Sequence, residues 1–81
     1  MNLHSTGIFP ATKIRVRDYI RILDNHYNLV QDGVYWVLEV VPHSYRDVVN
    51  VKLEYTWDYE GVTGTIETTF SIDDMIEIMR E

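Results

Sequence analysis

The sequence contains no cysteine. That excludes a disulfide framework, a thiolate nucleophile and any cysteine-based zinc or iron–sulfur centre. A small domain without such staples fits a reducing compartment, and a cytoplasmic location is the expectation. No run of about 18 apolar residues occurs, so no membrane-spanning helix is expected. The opening Met1-Asn2-Leu3-His4-Ser5-Thr6-Gly7 lacks the basic and apolar regions of a secretion signal. Glycine is scarce, and Gly7, Gly33, Gly61 and Gly64 form no phosphate loop. Basic charge is scarce too. Seven Lys and Arg stand against 13 Asp and Glu, for a net charge of −6. Residues 1–30 carry four basic against two acidic side chains, a balance of +2, and residues 31–81 carry three against eleven, −8. The acidic part cannot act as a phosphate-binding surface, so no direct nucleic-acid binding is expected.

What is present is a chain of 81 residues, 46% apolar and 12% aromatic. Domains peak at roughly 100–150 residues, so residues 1–81 read as a single domain. A chain of this size buries ~60–65% of its extended surface. It has room for one core but not for a deep active-site cleft as well. The apolar and aromatic content argues against disorder.

Residues 1–12 show no periodicity and read as an extended N-terminal arm, with Ile8-Phe9 docking on the body. In Val16–Tyr27 the residues Val16, Tyr19, Ile20, Leu23 and Tyr27 recur every three or four positions, which predicts a helix. Its start is open: Thr12 as cap, or a short extended piece over 13–16. Val34–Val41 is rich in β-branched and aromatic residues and predicts a strand stopped by Pro42. Trp36, Leu38 and Val40 share one face, and Tyr35, Val37, Glu39 and Val41 the other.

Val48–Tyr59 alternates strictly between apolar and polar positions, and Val62–Phe70 repeats the pattern, predicting an antiparallel hairpin. The apolar faces coincide only across an even loop. A loop of Glu60-Gly61 sets Glu54 against Glu67, a like-charge pair. A loop of Glu60–Thr63 avoids it, pairs Trp57 with Ile66, and is the favoured register. Ser71 followed by Asp74 has the spacing of a capping box, and Ile72, Met75, Ile76 and Met79 then form the stripe of a second helix. The predicted fold class is α+β, with the order α-β-β-β-α. It is a three-stranded antiparallel meander sheet with both helices packed on one face. The expected core is Tyr19, Ile20, Leu23, Trp36, Leu38, Val40, Val51, Leu53, Tyr55, Ile66, Phe70, Ile72, Ile76 and Met79.

Catalytic chemistry has little to stand on. His4, His26 and His43 are not spaced as metal ligands. His26 reads as a surface residue at a helix C-terminus. His43 and Ser44 are adjacent, which is the wrong geometry for a nucleophile–base pair. Asp73-Asp74 diverge on a helix and are explained by capping. No catalytic residue, metal or cofactor is assigned, and the chain is expected not to be an enzyme. A small hydrolase or isomerase using His43 with a carboxylate stands third among the readings.

Two surfaces remain. The hairpin's outer face and tip carry Glu54, Asp58, Glu60 and Glu67, with Trp57 or Tyr59 as an aromatic anchor, and are the expected partner-binding site. Tyr35, Val37 and Val41 form an apolar stripe on the polar side of the sheet. Its cover is the N-terminal arm, a helix, or a second copy in a homodimer. The leading reading is an acidic protein that inhibits or regulates a larger basic-surfaced, nucleic-acid-processing partner. The alternative is a homodimerisation module. In general character the chain is similar to phage and mobile-element accessory proteins such as antirestriction and anti-CRISPR inhibitors. That resemblance is of type only and carries no residues over.

Overall fold

The structure is a computed structural model and describes residues 3–24, 26, 28–42, 46–57 and 62–81. Its strands are β1 (His4–Pro10), β2 (Tyr19–Arg21), β3 (Val34–Pro42), β4 (Val48–Trp57), β5 (Val62–Ser71) and β6 (Met75–Arg80). They form one six-stranded antiparallel sheet in the order β1-β6-β2-β3-β4-β5. Helical backbone among the described residues is confined to one 3-10 turn, Ala11–Lys13. The expected α+β class is therefore corrected to all-β, and the three-stranded sheet with two helices to a six-stranded one with none.

The meander β3-β4-β5 follows the alternation of its sequence. Val49, Val51 and Leu53 are buried, while Asn50, Lys52 and Glu54 lie on the other face. The hairpin register differs from both expected ones. Trp57 pairs with Val62 and Leu53 with Ile66, which leaves the even stretch 58–61 between the strands. Two local fits accompany this register. Lys52 comes opposite Glu67, an attractive pair. Gly64 comes opposite Tyr55, where a Cβ would stand 2.6 Å from the tyrosine oxygen. The tyrosine ring occupies the space of the side chain that Gly64 lacks.

On β3 the inward face is the reverse of the expected one. Tyr35 and Val37 are buried, and Trp36 is partly exposed on the opposite side. A bulge between Val37 and Glu39 then shifts the strand against β4, so that Glu39 and Val41 point outward. The Tyr35 hydroxyl accepts the Val30 N–H at 3.0 Å and so anchors the preceding loop from inside.

The segment read as the first helix becomes a turn and a short strand. Arg17 has φ 76°, a left-handed conformation that no α-helix admits. Asp18 Oδ2 accepts the Arg15 N–H at 3.0 Å and closes the turn. Tyr19-Ile20-Arg21 then pairs with β3 on one side and β6 on the other. Ile20 and Ile22 point in and Tyr19 out, a period of two that the helical reading averages away. His26, expected at a helix end, instead stacks on Phe70 at a ring distance of 4.6 Å.

The second expected helix fails for a different reason. Asp74 Oδ2 does accept the Ser71 N–H, at 2.8 Å, which is the reach-back bond of a capping box. The Asp74 N–H also bonds the Ser71 carbonyl at 3.0 Å, so the same residues close a turn. The chain leaves that turn as β6, with Ile76 and Ile78 buried and paired against β1 and β2. Residues 4–10 of the expected arm are β1, an edge strand of the sheet.

All strands contribute to a single buried face. Ile20, Val51, Leu53, Phe70 and Ile76 of the expected core lie in it, and Val40, Tyr55, Ile66 and Ile72 pack against it. Tyr19, Leu23, Trp36, Leu38 and Met79 are outside it. Among the described residues no α-helix covers that face.

Candidate functional site

The outer face of the sheet is built by register. Met79, Tyr19, Trp36, Glu54 and Thr65 are successive partners on β6, β2, β3, β4 and β5 and make one row across the sheet. Beyond the bulge, Glu39, Lys52 and Glu67 make a second row, and Val41, Asn50 and Thr69 a third. Val41 is 47% exposed. In the third row the Thr69 hydroxyl and the Asn50 side-chain oxygen lie 2.6 Å apart.

The first row holds an aromatic pair. The rings of Tyr19 and Trp36 stand 4.5 Å apart, tilted by 54°. Both side chains are partly exposed. Burial pushes the Tyr19 phenol above its ordinary value, and the carboxylates of Glu81 and Glu54 push it further. Two acids thus act on one aromatic pair. A guanidinium or ammonium group meets two favourable features there: a π face and nearby carboxylate charge. Charge-assisted contacts of this kind bind and orient a cation and perform no bond chemistry by themselves.

Other charged groups are engaged with one another. Arg21 bonds Glu77 through Nε and Asp32 through Nη1, the latter at 2.8 Å. Arg80 Nε donates to Asp18 Oδ1 at 2.9 Å. On another side of the molecule Lys13, Arg15 and Arg80 line a shallow groove with Thr6, Phe9 and Ile78. The molecule therefore separates a cationic groove from its acidic outer face.

The expected partner site is placed in part. Glu54 lies in the aromatic row, and Glu67 in the second row opposite Lys52. Trp57 ends β4, but its side chain, together with Asp58, Tyr59 and Glu60, lies outside the described residues. Of the expected dimer stripe, Tyr35 and Val37 are 2% and 0% exposed within this chain's own core. They are not available to a second copy, and only Val41 is on the surface. His43 and Ser44 lie outside the described residues.

Sequence reasoning assigns Tyr19 and Trp36 to the core and so misses the aromatic row. The alternation of Tyr19 and Arg21 with Ile20 and Ile22 is the signal that could have found it. Among the described residues no three His, Asp or Glu side chains converge to hold a metal ion. Among the same residues no helix is long and apolar enough to cross a membrane. No protein-family model matches the chain, no curated protein matches it, and no solved structure matches it.

Proposed function

We propose that this chain is a non-enzymatic binding protein that takes a cationic segment of a larger partner on the outer face of its sheet. The observation that carries the reading is the Tyr19–Trp36 pair on the outer face, with Glu54 opposite Trp36 on β4 and the Glu54 and Glu81 carboxylates both acting on Tyr19. A partner with an exposed Lys- and Arg-rich surface, as nucleic-acid-processing proteins have, suits a body of net charge −6. Occupying such a surface inhibits or regulates the partner. The absence of cysteine supports a cytoplasmic site of action.

The test is the affinity for an acetylated, amidated hexa-arginine peptide at two ionic strengths. Binding should weaken as salt rises. Trp36→Ala should weaken it at least about tenfold through faster dissociation, as desolvated aromatic anchors do. Glu54→Lys should mainly slow association. Thermal melts of each variant confirm that it is folded. Equal affinity for wild type and a folded Trp36→Ala would overturn the reading, because attraction to net charge alone would then suffice.

A further inference from the structure

The two edges of the sheet are unequal. The β1 edge is blunted: its register slips between Ser5 and Gly7, Gly7 has φ 125°, and the strand ends in Pro10. The β5 edge has none of these devices. Its pairing with β4 runs without a shift from Ser71 to Val62, and the strand VTGTIETTFS contains neither proline nor lysine. No described strand lies beyond it.

Two separate contacts establish which β5 amides point away from β4. The Val37 N–H and C=O bond Asp18 and Arg17, so Val37 points to the β2 side. Its partner Leu53 therefore points to β5, Ile66 points back to β4, and Thr65 and Glu67 point outward. Independently, the Thr69 carbonyl meets His26 Nε2 at 2.7 Å outside the sheet, which gives residues of the same parity the same outward direction. The contact closes the edge at Thr69 and leaves Thr65 and Glu67 ahead of it.

We propose that this edge takes an extended basic segment of the partner as a further strand, with an Arg or Lys opposite Glu67. The inference rests on the cationic-partner reading above and specifies how that partner is held. Strand addition supplies main-chain hydrogen bonds, and alternate side chains supply specificity. An added strand extends both outer rows: the row of Tyr19, Trp36, Glu54 and Thr65, and the row of Glu39, Lys52 and Glu67. Its outward side chains so face Glu67 directly, with Glu54 one strand further in. Charge selects against a second copy as occupant, since two-fold pairing joins two bodies of net charge −6 and crowds two Glu67 side chains on one face.

The probe is a capped seven-residue peptide alternating arginine and valine, together with its analogue N-methylated at every second residue. On binding, the Thr65 and Glu67 amides should become protected from hydrogen exchange, and the N-methylated analogue should bind at least about tenfold more weakly. Thr65→Pro removes one outward N–H while leaving the β4 ladder whole, since proline is tolerated on an edge strand. It should weaken binding by a similar factor, whereas Thr65→Val, which keeps the N–H, should stay within about twofold. If the peptide shifts the Trp36 indole but leaves both amides unprotected and Thr65→Pro unaffected, strand addition is overturned and the outer-face reading stands. No binding at all overturns both. Protection of both amides in a dimer without peptide makes a second copy the occupant and also overturns the proposal.

Discussion

Asp18 and Arg80, 62 positions apart, are joined by a 2.9 Å bond from Arg80 Nε to Asp18 Oδ1. The Asp18 side chain is 7% exposed and that of Arg80 49%. Asp18 also accepts the Arg15 N–H through its other oxygen. One carboxylate thus fixes the turn before β2 and ties it to the end of β6. Asp18→Ala should lose about 1–3 kcal/mol, because it removes both hydrogen bonds that the buried carboxylate accepts. Arg80→Ala should cost less, because the turn bond survives and half of the arginine is already in water. Urea melts of the two variants decide the order.

Gly64 tests the hairpin register. Strand propensity alone predicts that replacing a strand glycine by valine stabilises. Here Tyr55 lies over the position, with its Cζ 2.8 Å from where a Cβ would be. Tyr55 is also held edge-on against Tyr35 at a ring distance of 6.4 Å. Gly64→Val should therefore destabilise by about 1–3 kcal/mol, as overpacking does. Thr65→Val, one residue on and exposed, should stay within about 0.5 kcal/mol. A stabilised Gly64→Val would place another residue opposite Tyr55.

Acid sensitivity should trace in part to Glu77. Its hydrogen bond from Arg21, and then one from Ser5 at 2.8 Å, hold its carboxyl below the ordinary value. A lowered folded value means stability that is present above the unfolded value of about 4.3 and lost as pH falls through the folded one. Glu77→Gln should flatten the fall of stability as pH drops below the unfolded value, with little change in that slope near neutrality. Denaturant melts across that drop in pH measure it.

Leu53 is fully buried and sits at the centre of β4 between β3 and β5. Leu53→Ala should cost ~2–5 kcal/mol, a large share of the stability of a domain this small. Trp36→Ala, although it removes a larger side chain, should cost less because Trp36 stands outside the core. The reverse order in urea melts would return Trp36 to the interior.

The hairpin strands are legible in the sequence because a half-buried strand writes a period of two over ten residues. The short strands are not. The alternation around the three residues of β2 is too short to outweigh Val16, Tyr19, Ile20 and Leu23, which fit a helical stripe by spacing alone. The strand is instead selected by its two neighbours, since β2 completes the pairing of both β3 and β6. At Ser71–Asp74 the spacing identifies the local bond correctly, but a capping box and a tight turn share it. The backbone after Asp74 is decided by pairing with β1, more than 60 positions earlier in the chain. The acidic part of the candidate site is legible as charge. Its aromatic part is hidden, because Tyr19 and Trp36 meet only once β2 is a strand.

The most direct test of the outer-face site is a map of amide and indole shifts in the nitrogen–proton spectrum as hexa-arginine is added. The account predicts that the Trp36 indole and the amides of Tyr19, Glu54 and Thr65 move together with a single affinity, while Lys13 and Arg15 do not move. Shifts spread evenly over all the carboxylate-bearing residues, with the Trp36 indole unmoved, would contradict it.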